Sequence, residues 1–445
     1  MSSTRAPTRA LLVTLLLLAG VANADSPWPM RQGSWMGTGQ SSAGGPTSSG
    51  KTLRCSGVPS TASPAISEDG AIFQPSTGGV LFAINGSLTS GALLWKFSPL
   101  GSLSPSAACL TPVISEDGTM VFYAADNLYA LNITTGDVLW SWNASLTPGA
   151  TFLTVLRSTG DGRVYALVTG PAQGTQGVSF AALAALAALD GATGNIQWQR
   201  LGLLSDFSIS ADGATLFAVS SSYTTSNPSN PSAPTTYISS SLYRIDSATG
   251  NLLASQVLAP PGSTQGTSIN AAAAPLVTSD GKLVLITSVG PPYASSFNMS
   301  LWNPATSSQS WFAVLTTLTT SASCPQGAQV FSLPTTVMDS TLLISWSCQS
   351  AAGMLGLSLL NGAQVFIMSL PSFSATPPNA DLPPPIAGAD STSYTSSGGS
   401  VYGVNSGSGA LLWAVNGTAT AQVPYSAIGT NKVLVVGNCL YVEAM

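Results

Sequence analysis

One short pattern recurs along the chain and limits what it can fold into. A glycine follows a small apolar run ending near Asn or Asp, and a tryptophan comes four residues after the glycine. Clear copies place the glycine at Gly91, Gly136, Gly194, Gly250 and Gly409, with Trp95, Trp140, Trp198 and Trp413 four residues on and Ala254 in the fourth copy. Two degenerate copies lie between them, one with Ser307 and Trp311, the other with Gly362 and Phe366. The glycine-equivalent positions are 45 to 58 residues apart. A fixed pattern at a period near ~50 residues marks a propeller or solenoid.

A second ladder precedes the first. Short apolar runs flank turn residues at Glu68-Asp69-Gly70, Glu116-Asp117-Gly118, Asp161-Gly162, Asp212-Gly213, Asp280-Gly281, Met338-Asp339-Ser340, Ala389-Asp390-Ser391 and Thr430-Asn431. Asp-Gly between β-rich runs is a hairpin signal, because glycine accepts positive φ without steric cost. This ladder has eight rungs against seven copies of the Gly/Trp pattern. The expected fold is therefore all-β, an eight-bladed β-propeller of four-stranded antiparallel blades. Residues Thr52–Cys55 would supply the outer strand of the last blade, so that strands from both termini close the ring and leave no open edge. The tryptophans read as interblade packing rather than an aromatic binding surface, because their spacing follows the repeat.

Composition narrows the function classes. The 445 residues are 44% hydrophobic and 7% charged, which argues against disorder. Twelve Lys and Arg against 17 Asp and Glu give a net charge of −5, which argues against nucleic acid as partner. Histidine is absent, removing His-ligated metals and imidazole proton transfer. Arg5 and Arg9 precede an apolar run, residues 10–21, and then Ala22-Asn23-Ala24, the order of a secretory signal peptide. That apolar run is too short for a membrane span, which needs roughly 20 residues. The expected organisation is a signal peptide at 1–24, an N-terminal extension at 25–51 and a single propeller domain at 52–445. The expected location is extracellular, or periplasmic in a bacterium, with no membrane span after cleavage.

The repeat resembles the PQQ-like (pyrroloquinoline-quinone-type) family, whose docking motif Ala-x-Asp-x-x-Thr-Gly-x-x-x-Trp is close to Ala130…Gly136…Trp140 and Ala188…Gly194…Trp198. Trp28-Pro29…Gly33…Thr38-Gly39 is similar to the opening that often precedes such propellers. The resemblance implies a quinoprotein-type propeller across nearly all of residues 27–445. It also implies what a catalytic member would need: a vicinal disulfide against the quinone, Ca²⁺ or a lanthanide on acidic and amide side chains, and a catalytic Asp. Here no two cysteines are adjacent, and the glutamates are Glu68 and Glu116 in hairpin turns and Glu443 near the end. No catalytic, cofactor-binding or metal-binding residues are assigned and no cofactor is expected; PQQ with Ca²⁺ belongs to the alternative alone.

Smaller features complete the expectations. Segments 224–237 and 371–385 are Pro/Ser-rich and read as surface loops without ladder hydrogen bonds. Residues Ala181–Leu189 have helical composition, yet their last four or five align with a strand of the repeat. Sequons at Asn85, Asn132, Asn143, Asn298 and Asn416 are candidate N-glycosylation sites. Of the cysteines, Cys324 and Cys348 bracket one inner hairpin and are expected to pair. Cys55–Cys439 would staple the termini, with Cys55–Cys109 as the competing pair. No G-x-S-x-G elbow carries a serine nucleophile. The favoured function is a secreted, non-catalytic interaction or ligand-binding scaffold with an unidentified protein or glycan partner. A quinone-dependent oxidoreductase and a cell-wall or glycan-binding propeller are the alternatives.

Overall fold

In the computed structural model, the described residues run from Met30 to Val442. They comprise the strands, most of their short turns and a four-residue helix, Leu315–Leu318, with Met30, Ser34, residues 40–43 and Pro46 of the N-terminal segment; most of the longer connections are outside the described set. The fold is an all-β propeller of four-stranded antiparallel blades. Seven blades are each built from one continuous stretch of chain, running from innermost to outer strand. Blade 1 is Ala65–Ile66, Ala71–Pro75, Leu81–Asn85 and Leu93–Phe97; blade 2 is Val113–Ile114, Met120–Ala124, Leu128–Asn132 and Val138–Trp142. Blade 3 is Phe152–Ser158, Arg163–Thr169, Ala184–Asp190 and Ile196–Gly202. Blade 4 is Asp206–Ile209, Thr215–Thr225, Thr236–Asp246 and Leu252–Leu258. Blade 5 begins with two short pieces, Ile269–Ala271 and Leu276–Val277, followed by Leu283–Val289, Ser296–Asn303 and Ser308–Val314. Blade 6 likewise has Val330–Phe331 and Thr335–Val337, then Thr341–Ser347, Ala352–Ser358 and Gln364–Ser369. Blade 7 is Ile386–Ala387, Thr392–Ser397, Ser400–Asn405 and Leu411–Asn416.

The eight hairpin rungs thus correspond to seven blades of the expected single-segment form, a correction to the count of eight. The rung at Thr430-Asn431 lies outside the described residues, and the strands on either side of it in sequence belong to a sheet of different make-up. There Ser426–Gly429, Val433–Val436 and Cys439–Val442 from the C-terminus pair in turn, and Lys51–Cys55 adds to their outer edge. The physical reason is that this sheet takes strands from both ends of the chain, so that a backbone ladder joins the first strand to the last. The innermost strand of this terminal sheet touches those of blades 7 and 1.

In each blade except blade 5 the two turns at one end are bonded to each other; in blade 5 the residue in the donor place is Pro304, which has no N–H. Gly191 donates its N–H to the Gly162 carbonyl at 2.8 Å, and Ser406 to that of Ser391 at 2.9 Å. The longer connections leave from the other end. There the sequence expectation for 224–237 fails at its edges, since Thr224 faces Tyr237 and Thr225 faces Thr236 in the ladder. Alternating Thr, Tyr and Ile extend the hairpin by β-propensity, and the Pro-rich part is left between them. The helical composition of Ala181–Leu189 gives way to strand from Ala184, where pairing with Arg163–Thr169 overrides propensity.

The N-terminal segment is part of the ring. Met30 is buried among Val113, Phe122 and Leu156 of blades 2 and 3. The Ser34 carbonyl accepts from Arg157 of blade 3 at 3.4 Å. On the far side of the chain order, the Ser41 N–H donates to the Ala387 carbonyl of blade 7 at 2.8 Å, and its hydroxyl to Ile428 of the terminal sheet at 3.4 Å. Replacing Ser41 with proline removes both donors. Chemical denaturation is expected to show a loss of about 1–3 kcal/mol, and wild-type stability in S41P would show that these contacts carry no load.

Candidate functional site: interblade docking positions and the propeller axis

The repeat pattern encodes a contact between blades. In blades 2 to 7 the fourth residue of the turn into the outer strand adopts left-handed backbone, with φ of 76° at Gly136 and 72° at Gly194. One residue is then bulged out of the outer strand: Ala130 faces Trp140 and Leu131 faces Val138, leaving Leu139 unopposed. The same shift occurs in all seven single-segment blades. A bulge bends the strand and re-aims its side chains. The ring therefore reaches the turn of the following blade rather than its own.

There it lies flat against the glycine. A Cβ on Gly136 would sit 2.7 Å from the Trp95 ring, one on Gly194 2.7 Å from Trp140, and one on Gly250 2.6 Å from Trp198. Gly362 lies likewise beneath Trp311, and Gly409 beneath Phe366. Each indole also donates to the carbonyl three residues before the glycine: Trp95 to Ile133 at 2.9 Å, Trp140 to Gly191 at 2.8 Å, Trp198 to Ser247 at 2.9 Å and Trp311 to Leu359 at 2.8 Å. Glycine is required twice over, by the positive φ and by the ring.

The fourth junction departs from the rule in a consistent way. Blade 4 has Ala254 where the ring should be, and the next turn carries Ser307 at φ 53°. With no ring present, a Cβ is tolerated. The docking hydrogen bond survives through another residue, since Arg244, which faces Ala254, donates from Nη1 to the Pro304 carbonyl at 3.0 Å. Pro304 holds the same place relative to Ser307 that Ile133 holds relative to Gly136. Arg244 was not among the sequence candidates, although an Arg where the other clear motifs carry Ala or Gly was visible in Leu242-Tyr243-Arg244.

At the seventh junction the partner comes from the other end of the chain. Trp413 donates to the Pro46 carbonyl at 3.2 Å, and the Tyr394 hydroxyl donates to the same oxygen at 3.0 Å. Gly91 lies outside the described residues.

The innermost strands line the axis. Their described residues include Ala65, Ile66, Val113, Ile114, Ser208, Ile209, Leu276, Val277, Thr335, Ile386 and Ala387, all buried. A proline stands six residues before the turn residue at Pro64, Pro112, Pro275, Pro334 and Pro385. Proline fits there because an edge strand need not donate on its free side. Its carbonyl is used instead, accepting from a neighbouring blade: Ser208 donates to Pro275 at 2.5 Å, and Thr335 to Pro385. Blades 3 and 4 carry Leu156 and Phe207 at this position. Between them Arg157, 1% exposed, donates through Nε to the Phe207 carbonyl at 2.8 Å and lies over the Phe207 ring at 5.7 Å. The break in the proline series was the sequence signal for Arg157.

These residues do not fit a quinone with a hard cation. Among the described residues no three His, Cys, Asp or Glu side chains come together as a metal site. On the innermost strands the described carboxylate is Asp206, which accepts from the Phe207 N–H at 2.8 Å, whereas Ca²⁺ takes several oxygen ligands.

The remaining candidates separate clearly. Asn298, 4% exposed within a strand, cannot carry a glycan in this fold, which corrects that sequon. Asn132 spends its side-chain oxygen on the N–H groups of Thr134 and Thr135, at 2.9 and 3.1 Å. Asn143 is exposed and Asn85 half-buried; the Asn416 side chain lies outside the described residues. Cys324 and Cys348 form a disulfide with Cα atoms 6.1 Å apart. It ties the entry of blade 6 to the end of its second strand. Cys109 lies outside the described residues.

A ring of antiparallel blades docked through Trp on Gly defines a PQQ-like β-propeller. The chain belongs to this family: the family profile described as outer membrane protein assembly factor BamB matches residues 37–181 and 161–340. Among solved structures it is similar to quinohemoprotein alcohol dehydrogenase from Comamonas testosteroni, at 13% identity and a TM-score of 0.60, over 93% of this chain and 77% of that one. BamB from Moraxella catarrhalis aligns at 13% identity and a TM-score of 0.56, over 88% and 98%. A europium-containing methanol dehydrogenase aligns at 13% and 0.60, over 92% and 88%. Among curated proteins, none matches the chain.

Two tests follow from the docking geometry. Gly194→Ala is expected to cost about 2–4 kcal/mol, from strain at positive φ and collision with Trp140. Trp140→Ala is expected to cost about 3–5 kcal/mol. The double variant should lose less than the sum, because removing the ring frees the space, and strict additivity in denaturant titrations would contradict the contact.

The second test concerns pH. Asp190 is held below the usual carboxylate range by the Thr193 hydroxyl and then the Thr193 N–H, and Asp212 by the Ser210 hydroxyl and the Ala214 N–H. A depressed folded-state pKa contributes stability above the unfolded value of about 3.9, lost as pH falls through the folded value. With no histidine in the chain, the melting temperature should stay flat from about pH 5.5 to 8 and fall below about pH 4. A midpoint of loss near neutrality would rule this origin out.

Proposed function

We propose that this protein is a secreted, non-catalytic member of the PQQ-like propellers that acts as an interaction scaffold. The observation that carries this is the axis, where a catalytic relative would need free acidic and amide groups. Here most of the described side chains are aliphatic or hydroxyl-bearing, Asp206 is the described carboxylate, and Ser208, Thr335 and Arg157 spend donors on carbonyls of the next blade. The signal-like sequence at residues 1–24 supports export, and no described helix is long and apolar enough to cross a membrane. The BamB similarity adds that this fold occurs in a protein named as an assembly factor.

We also propose that the terminal sheet closes the ring between blades 7 and 1. Its innermost strand touches blades 7 and 1, and its outer pair has the same register shift as the others. Thr52 faces Tyr441 and Arg54 faces Leu440, which leaves Leu53 unopposed and puts Arg54 at the position of the docking ring.

The decisive assay is reconstitution of the purified protein with PQQ and Ca²⁺, followed by dye reduction with alcohols and sugars. No turnover above the protein-free control is expected; robust turnover would overturn the scaffold assignment. Capture of a wall polysaccharide on a glycan array would replace an unidentified protein partner with a glycan.

A further inference from the structure

We propose that Cys55 and Cys439 form a disulfide that locks the propeller ring at the junction of its two chain ends. The placement comes from backbone register. In the terminal sheet Cys55, the last residue of Lys51–Cys55, stands directly opposite Cys439, the first residue of Cys439–Val442. The pair follows the bulge at Leu53, after which Arg54 and Leu440 are already back in step. Facing residues in an antiparallel pair have Cα atoms roughly 4.5–5.5 Å apart, within the roughly 4.4–6.8 Å that a disulfide spans. Cys324 and Cys348 are already joined to each other. That leaves Cys55, Cys109 and Cys439, of which the ladder brings two face to face.

The lock has a mechanical rationale. Each of the seven blades is held by a continuous chain running through its strands. In the terminal sheet the outer strand is joined to its neighbour by the ladder alone, so opening that ladder opens the ring. The Pro46 carbonyl under Trp413 and Tyr394, and Ser41 on Ala387 and Ile428, hold the same end without a covalent bond. A cross-strand disulfide converts this clasp into a closed loop around nearly the whole chain.

The chemistry balances with one co-reactant. The two thiols lose two protons and two electrons as the S–S bond forms. The electrons pass to the exchangeable disulfide of a thiol–disulfide carrier, which leaves as a dithiol. Such carriers act in oxidising compartments, in keeping with the proposed export, but the register argument is independent of the scaffold function.

The test is peptide mapping of the full-length protein exported into an oxidising compartment, alkylated with iodoacetamide and digested without reduction. The expected result is one peptide pair joining Cys55 to Cys439, with Cys109 alkylated. A Cys55–Cys109 or Cys109–Cys439 pair, or alkylation of all three, overturns the proposal. As a second measurement, the C55S/C439S double variant should melt lower by about 5 °C. Amide exchange over residues 433–442 should accelerate at least about tenfold while residues 113–142 are unaffected. Unchanged melting and exchange would show that no lock exists. The mapping uses the unaltered chain and decides the question even where the variant fails to fold.

Discussion

The contact between an outer-strand aromatic ring and the glycine of the next blade's turn is the constraint on which the rest of the structure depends. It joins three local requirements into one. The turn must be left-handed, the strand must bulge, and the position above the ring's landing point must lack a Cβ. None has much purpose alone, and together they fix how one blade is set against the next. The fourth junction shows the coupling from the other side. Where Ala254 replaces the ring, Ser307 replaces the glycine and Arg244 reaches the Pro304 carbonyl in place of an indole N–H. The hydrogen bond is retained although every side chain that makes it has changed.

A ring of like contacts has to begin and end somewhere, and this chain resolves that at blade 7. Trp413 has no glycine turn ahead of it, because the third and outer strands of the terminal sheet come from opposite termini. The Pro46 carbonyl takes the acceptor's place. The same N-terminal segment contacts blades 2 and 3 through Met30 and Ser34, and blade 7 through Ser41. Residues synthesised first therefore cannot complete their contacts until the last strands exist. The cost of such long-range closure is mainly entropic and grows slowly with loop length, so a modest set of contacts can hold it.

Much of this was legible in the residues. The Gly-to-Trp spacing and the Asp-Gly turns gave the blade type and placed the outer strands, because both obey strict local geometry. The direction of docking was not legible. The spacing ties each Trp to a glycine four residues earlier, and only the bulge shows that the ring crosses to the next glycine. The ladder at Thr224 and Tyr237 was hidden by neighbouring prolines, which set composition without setting the pairing of the residues beside them. Arg157 and Arg244 were missed for a different reason. Each marks a place where a repeat breaks, and attention to what recurs passes over what substitutes for it.

The same bulge explains one recurring set of exposed aliphatic residues around the perimeter. Leu94, Leu139, Leu253 and Leu412 each precede the ring position and have no residue opposite them. Leu93, Val138, Leu252 and Leu411 beside them are also exposed. Two neighbouring residues set against one partner cannot both turn inward, so directing the following side chain toward the next blade leaves these in water. Exposed apolar surface is often taken as a sign of a binding partner. Here it recurs wherever the docking bulge has an aliphatic residue, and it follows from blade geometry. At the third junction Gln197 takes the unopposed place, and at the fifth Ser310 does, so a polar residue serves the bulge equally well. These recurring leucines therefore mark the blade geometry and are not evidence of a partner surface.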